Sequence, residues 1–129
     1  MSDSILTVDS LNKTFIRDVV NSKGKSEDEQ YKIIDDLNLF VPQHQITALI
    51  GGNGAGKTTL FNIMSGFMKP DNGSIRYMGN RNPVEILNLS PHLIARNGLG
   101  RFFQNNHIFK ELTVLENLYL GDNQHPYEQ

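Results

Sequence analysis

The sequence predicts an α/β fold in which an antiparallel β region, residues 1–45, precedes a strand–loop–helix unit over residues 46–70. Three observations predict this order. Apolar and polar residues alternate over residues 5–15, as in a half-exposed strand. Residues 46–50 are apolar without alternation, which is typical of a strand buried on both faces. Over residues 57–68, apolar side chains recur every three or four positions, which indicates a helix.

Composition limits the classes of protein to which the chain can belong. It has 129 residues, 38% of them hydrophobic and 20% charged, so we expect one folded domain rather than a disordered chain. Twelve Lys and Arg against 14 Asp and Glu give a net charge of −2, which argues against nucleic acid as a partner. The sequence has no cysteine, which excludes disulfides and thiolate sites. No apolar run approaches a membrane span and no signal peptide is recognisable, so we expect a soluble intracellular chain.

Within the β region, the sequence predicts two strands with a polar segment between them. Asp9 and Ser10 interrupt the alternation of the first strand and predict a bulge or a turn there. Residues 20–30 are polar and of mixed charge, which predicts a surface loop or a hairpin tip. We expect the second strand over residues 31–40, ending at Pro42, which has no backbone donor.

The segments after the loop have clear boundary signals. Gly66 and Pro70 end the predicted helix at 57–68, residues 71–73 form a turn, and residues 74–78 form a strand.

Two further helices are predicted in the remaining region, residues 71–129. Ser90 and Pro91 are the expected N-cap and first residue of one helix. Thr113 and Glu116 have the spacing of a capping box, which opens the other.

The chemistry of the sequence is concentrated in one glycine-rich loop. Residues 51–58 fit the pattern GxxxxGK[ST] at every fixed position. Successive backbone N–H groups point at one anion only where the chain adopts positive φ values, which glycine allows. The loop leads into a helix N-terminus, whose unpaired donors and dipole attract anions. Lys57 supplies a positive charge for the β and γ phosphates of a nucleotide, and Thr58 supplies a hydroxyl for Mg²⁺.

Residues 51–60 resemble the Walker A segment of ATP-binding cassette (ABC) ATPases, and residues 53–59 have that family's version of it. The family more usually has Pro where Gly52 stands, and glycine keeps the backbone donors. The resemblance covers residues 6–120 and implies a P-loop NTPase fold with an incomplete core sheet. It also implies that ATP and Mg²⁺ are the ligands, and that the nucleotide-binding loop residues are Gly51, Gly52, Asn53, Gly54, Ala55, Gly56, Lys57, Thr58 and Thr59.

The same resemblance gives roles to two residues outside the loop. Residues 6–15 are similar to the family's opening strand, whose last aromatic residue stacks on adenine, so Phe15 is the implied adenine platform. The alternative for Phe15 is an ordinary core phenylalanine. Residues 101–104 fall at the family's Q-loop, which implies that Gln104 is catalytic together with Lys57. Gln104 would coordinate Mg²⁺ or the attacking water and sense a transmembrane partner.

Residues 65–70 and 109–118 look most like the ATP-binding subunits of branched-chain amino acid importers. The resemblance therefore implies an ABC transporter component that couples ATP binding and hydrolysis to the import of amino acids. Its implied partners are a transmembrane permease and a second ATP-binding subunit, with no nucleic acid. Its implied place is cytoplasmic, on the inner face of the cell membrane through the permease.

The sequence also departs from the family. It contains no LSGGQ-like signature, no Walker B strand ending in Asp and Glu, and no switch histidine after such a strand. We therefore expect one partial domain that ends after the Q-loop and binds ATP without efficient turnover. Two alternatives remain, a non-hydrolytic nucleotide-binding or assembly module and a small phosphotransferase built on the same loop. We expect surface positions for the histidines, which are His44, His92, His107 and His125.

Overall fold

A computed structural model describes residues 4–79, 82–103 and 109–120. Two compact units, residues 1–99 and 100–129, are each described by themselves. The elements in chain order are β1 (Ser4–Val20), β2 (Ser26–Pro42), α1 (Lys57–Met64), β3 (Asn72–Met78), β4 (Pro83–Glu85), a 3₁₀ turn (Ile86–Asn88), α2 (Pro91–Arg96) and α3 (Val114–Tyr119).

The four strands form one antiparallel sheet in the order β2-β1-β3-β4, which confirms the predicted antiparallel β region. β1 pairs with β2 along its whole length. It pairs with β3 only in its first half, from Leu6 opposite Tyr77 to Asn12 opposite Asn72. Beyond Asn12, β1 and β2 therefore continue as a two-stranded ribbon that extends past the rest of the sheet.

The predicted bulge at Asp9 and Ser10 is confirmed. The β1–β2 register shifts between Val8 and Leu11, and Ser10 has a φ of 46°. The Ser10 N–H, displaced from the ladder, donates to the side-chain oxygen of Asn38 at 2.8 Å. Because the bulge absorbs one residue, Val8 and Leu11 both face the core although they are three positions apart.

The hairpin between β1 and β2 is longer than the sequence predicts. A hairpin tip is present, but only residues 21–25 form it, and the expectation that β2 begins at residue 31 is wrong. Arg17 bonds Glu29 across the strands at 2.6 Å. At the tip, the Asn21 side chain accepts the N–H groups of Lys23 and Lys25. These cross-strand and turn contacts extend the ladder through residues that look like a loop in sequence.

The core lies between one face of the sheet and α1, the 3₁₀ turn and α2. α1 begins at Lys57, as predicted, but ends at Met64 rather than at residue 68. Gly66 stops it with a φ of 77°, and its N–H donates to the carbonyl oxygen of Ile63. The buried core residues are Leu6, Val8, Leu11, Ile34, Leu60, Ile63, Ile75, Tyr77, Ile86 and Ile94.

Both later helices begin where the sequence predicts. Ser90 is the N-cap of α2, and Pro91 is its first residue, although the Ser90 hydroxyl contacts His92 Nδ1 instead of a helix N–H. In α3 the capping box is complete. The Thr113 N–H donates to Glu116 Oε2 at 2.7 Å, and the Glu116 N–H donates to Thr113 Oγ1 at 3.3 Å.

The expected strand at residues 46–50 is wrong. These residues adopt no regular secondary structure, and Ile46 and Ile50 are 101% and 91% exposed. The physical reason is that no strand among the described residues lies beside them to pair their backbone groups or cover their side chains. Among the helices in the described parts of the chain, none is long and apolar enough to cross a membrane.

Candidate phosphate-binding site

The glycine-rich loop leads the chain from residues 46–50 into α1. Gly54 and Gly56 have φ values of 79° and 85°, which residues other than glycine rarely adopt. Gly56 is also packed against β2, because a Cβ built there would come within 2.8 Å of the Ile33 carbonyl oxygen. The turn therefore depends on glycine at 54 for its conformation, and at 56 for both conformation and contact.

Lys57 folds its side chain back over the loop. Its Nζ donates to the carbonyl oxygens of Gly51 at 2.5 Å and Gly52 at 2.7 Å. The ammonium therefore lies across the mouth of the turn, and its side chain is only partly exposed. Phosphate oxygens are stronger acceptors for an ammonium than neutral carbonyls, because the bond joins opposite charges.

α1 begins directly at the loop, with Gly56 as its N-cap residue. The first N–H groups of a helix have no intrahelical acceptor, and this end carries the positive end of the helix dipole. The hydroxyls of Thr58 and Thr59 lie in the same turn, and Thr58 is exposed. Backbone donors, the ammonium and hydroxyls are therefore gathered at one place.

These groups surround a cavity of about 230 Å³, lined by Ile33 and residues 53–59. None of the described residues that line it is an Asp or a Glu. The donor set is therefore suited to an anion. It lacks the carboxylates that would be needed to hold a cation in the absence of a bound anion. Phosphate groups fit this lining, which also includes the hydroxyl-bearing residues Thr58 and Thr59.

Phe15 lies in the ribbon, opposite Tyr31. Lys13 lies two residues before it, and the Lys13 Nζ is 5.6 Å from the centroid of the Phe15 ring. Phe15 is 36% exposed and lies outside the buried core. The alternative of an ordinary core phenylalanine is therefore not what the structure shows.

The remaining predicted residues divide into described and undescribed ones. Gln104 lies outside the described residues, as do His107 and His125, so its catalytic and metal roles stay predictions. His44 and His92 are exposed, as expected. Within the described ranges, no group of three or more His, Asp and Glu side chains is placed to hold a metal ion.

Sequence reasoning missed one residue near Phe15, which is Asp71. Its Oδ2 accepts the Thr14 N–H at 2.6 Å, and its Oδ1 accepts from Lys13 Nζ at 3.1 Å. The bonds from the Lys13 side chain and the Thr14 N–H hold the pKa of Asp71 below its usual value of 3.8. In the sequence Asp71 only predicts a turn, because its partners lie 57 and 58 residues away.

The chain is similar to known proteins in both sequence and fold. The model of the family described as ABC transporter matches residues 34–129. The structure superposes on a solved ATP-binding cassette of an ABC transporter with a TM-score of 0.68 and 32% sequence identity. The match covers 93% of this chain and 41% of that one.

Two curated relatives are similar over most of the chain. Over 92 residues, the chain is 46% identical to the high-affinity branched-chain amino acid transport ATP-binding protein BraF of Pseudomonas aeruginosa, covering 71% of this chain and 34% of that protein. Over 91 residues it is 41% identical to the protein of the same description, LivG, of Escherichia coli K12, covering 70% and 34%. The chain thus spans about a third of the length of these relatives.

Proposed function

The chain belongs to the ABC transporter family, and from this premise we propose that its 129 residues form an Mg·ATP-binding part of a transport ATPase. The observation that carries the proposal is the loop at residues 51–58. There, glycines with positive φ, the Lys57 ammonium and the N-terminus of α1 converge on one cavity. Each of these features stabilises negative charge, and together they suit the phosphates of a nucleotide.

Within this site each residue type has its own task. The backbone N–H groups of residues 51–59 hold phosphate oxygens, and Lys57 neutralises the charge at the β and γ phosphates. Thr58 provides a hydroxyl ligand for Mg²⁺, and Gln104 is the proposed second contact of that ion and of the attacking water. Mg²⁺, when bound, would neutralise part of the negative charge of the phosphates.

Lys57 has a second task before nucleotide binds. Its bonds to the carbonyl oxygens of Gly51 and Gly52 stabilise the turn. They also give the ammonium hydrogen-bond acceptors while no nucleotide is bound. On binding, we infer that the ammonium exchanges these neutral acceptors for phosphate oxygens. The exchange favours phosphate because the full negative charge of phosphate attracts the ammonium more strongly than the partial charge of a carbonyl oxygen does.

Phe15 is the proposed platform for adenine. Its ring is partly exposed, and Phe15 lies two residues after Lys13, which pairs with Ile34 of β2 next to the cavity-lining residue Ile33. Stacking of a base on an aromatic ring contributes about 1–3 kcal/mol by alanine substitution. Phe15 would therefore add affinity for the base to the affinity that the loop supplies for the phosphates.

For the whole protein we propose the activity named for its relatives. BraF and LivG are ATP-binding proteins of branched-chain amino acid transport. The proposed parent protein couples ATP binding and hydrolysis to the import of such amino acids, at the cytoplasmic face of a permease and with a second ATP-binding subunit. The signature and Walker B motifs are not in this sequence, so we expect the isolated chain to bind ATP without efficient turnover.

Calorimetric titration of Mg·ATP, together with an assay of phosphate release, tests the proposal. The wild-type chain is expected to bind Mg·ATP and to release no phosphate above background. Lys57→Ala is expected to weaken binding about 10-fold or more, because it removes a charge-assisted bond. Lys25→Ala, which removes a lysine from the hairpin tip, is the matched control and should leave affinity unchanged.

Three results would contradict parts of this account. A wild-type chain that binds no nucleotide would refute the phosphate site. Phosphate release that requires Lys57 would show that the chain supplies catalytic groups beyond those assigned here. Transfer of phosphate to an added acceptor would favour the small phosphotransferase instead.

A further inference from the structure

Asp71 forms hydrogen bonds to the three residues of β1 that directly precede Phe15. Its carboxylate accepts the Thr14 N–H at 2.6 Å and the Lys13 ammonium at 3.1 Å. Its own N–H donates to the carbonyl oxygen of Asn12 at 2.9 Å. Three bonds from one residue therefore hold three consecutive residues of β1 to the segment that follows α1.

These bonds lie where the sheet narrows. The last β1–β3 pair is Asn12 with Asn72, and beyond it β1 pairs with β2 alone. A two-stranded ribbon by itself is only marginally stable in water and is free to twist. Asp71 is thus the last described attachment of β1 to the body of the sheet before Phe15, which follows Thr14 directly.

Lys13 connects the same carboxylate to the ring of Phe15. Its Nζ lies 5.6 Å from the ring centroid, within the range of a cation–π contact. The Lys13 side chain is only 17% exposed, and Asp71 fixes its ammonium. Asp71 therefore reaches the ring by two routes, through the Thr14 backbone and through the Lys13 side chain.

We propose that Asp71 is a positioning residue for the adenine platform, which holds the Phe15 ring through Thr14 and Lys13. The inference rests on the proposed nucleotide-binding function. Asp71 itself contacts no phosphate-binding residue in the described contacts, so its effect is confined to the part of the affinity that depends on the base.

Two ligands separate the base from the phosphates. Mg·ATP carries both, whereas magnesium tripolyphosphate carries the phosphates alone. Asp71→Ala is expected to weaken ATP binding about fivefold, because hydrogen bonds to a charged group that orient the stacking ring are lost. It should leave tripolyphosphate binding unchanged. Lys57→Ala should weaken the binding of both ligands.

Asp9→Ala is the matched control. Like Asp71, Asp9 forms an ion pair at the sheet. Its carboxylate, on β1, accepts a hydrogen bond from the Arg76 guanidinium, on β3, at 2.8 Å. Its side chain is 47% exposed, against 41% for Asp71, but it lies before the ribbon begins. It should change neither affinity. Asp71→Asn keeps an acceptor for Thr14 and loses the charge that holds Lys13, so its effect on ATP binding should be intermediate.

A second readout needs no ligand. The chain has no tryptophan, so Phe15→Trp places a single indole at the platform, and excitation at the red edge of its absorption avoids the four tyrosines. Adding Asp71→Ala, or Asp71→Asn if the alanine variant does not fold, should lower the anisotropy of the introduced indole and increase its quenching by acrylamide. Adding Asp9→Ala should not.

The outcomes distinguish the two proposals. Unchanged anisotropy and quenching would overturn the positioning role, as would equal losses of ATP and tripolyphosphate affinity in Asp71→Ala. A chain that binds neither ligand, but in which Asp71→Ala frees the indole, would refute the proposed function and still support the positioning of Phe15 by Asp71.

Discussion

Two short apolar stretches of this chain differ completely in burial. In β3, Ile75 and Tyr77 are 0% and 9% exposed, and β1 and β4 flank the strand. Residues 46–50 are at least as apolar, yet Ile46 and Ile50 are almost fully exposed, and no strand among the described residues pairs with them. An apolar pattern thus indicates that a stretch is able to be buried, but only its neighbours in space decide whether it is.

The phosphate-binding loop follows the exposed stretch and still has its turn. Gly54 and Gly56 adopt positive φ, and Lys57 reaches back to the carbonyl oxygens of Gly51 and Gly52. These features are local, or depend on the contact between Gly56 and β2. The turn of the loop therefore depends on its glycines, its lysine and β2, and it forms although no strand among the described residues pairs with residues 46–50.

The largest expected effect separates the two stretches directly. Ile75→Ala removes a fully buried side chain and should lower the free energy of unfolding by about 2–5 kcal/mol. Ile50→Ala, at a position that is 91% exposed, should change it by less than about 0.5 kcal/mol. Urea denaturation followed by circular dichroism measures both, and similar losses in the two variants would show that the two stretches do not differ in burial.

A smaller effect is expected within the loop. Gly56→Ala forces a side chain into a φ of 85° and against the Ile33 carbonyl, which should cost about 2 kcal/mol. It should also weaken Mg·ATP binding. Gly52→Ala is the control, because no described atom lies within 4 Å of the added Cβ. If both variants unfold at the same urea concentration, the contact between the loop and β2 has no energetic weight.

In the second unit, α3 depends on hydrogen bonds at its own N-terminus, because none of its described residues is buried. α3 exposes Val114 and Leu118, by 79% and 67%, so its described support is polar: the capping box and the hydrogen bonds of the Asn117 side chain to residues 109–113. Thr113→Ala should lower the local stability of α3 by about 1 kcal/mol. Amide hydrogen exchange measures this loss, with Thr47→Ala in the exposed stretch as a control. Unchanged exchange in α3 would show that the cap does not support it.

The smallest effect is expected from pH. Hydrogen bonds from Lys13 and Thr14 lower the pKa of Asp71 from 3.8 in the folded chain, so the ionised form stabilises the fold. This contribution is fully present above the unfolded pKa of 3.8 and is lost as pH falls through the lower, folded pKa. Carbonyl NMR should show Asp71 titrating below pH 3.8, and Lys13→Met should raise its midpoint. A midpoint at or above 3.8 would contradict the two hydrogen bonds.

The sequence predicts those features whose cause lies within a few residues. The bulge at Ser10 and the capping box of Thr113 and Glu116 follow from local backbone chemistry, and the structure confirms them. The resemblance to ABC ATPases was predictable because the loop motif is local and specific. The match to the ABC transporter family confirms it.

Features that depend on distant partners were not predictable. The ribbon extends to Val20, and within it Arg17 bonds Glu29 across the hairpin. The polar sequence of residues 20–30 gives no sign of this pairing. Asp71 reaches Thr14 only because α1 returns the chain to the edge of β1. Residues 46–50 carry a strand pattern whose partners are not among the described residues.

Amide NMR of the ¹⁵N-labelled wild-type chain, recorded before and after addition of Mg·ATP, tests whether residues 53–59 form the nucleotide site. We expect the shifts of residues 53–59 to change on binding and those of the hairpin tip at 21–25 to stay the same. We also expect the amides of residues 46–50 to exchange rapidly in the nucleotide-free chain. Unchanged shifts at 53–59 would refute the nucleotide site, and slow exchange at 46–50 before nucleotide is added would show that these residues are paired.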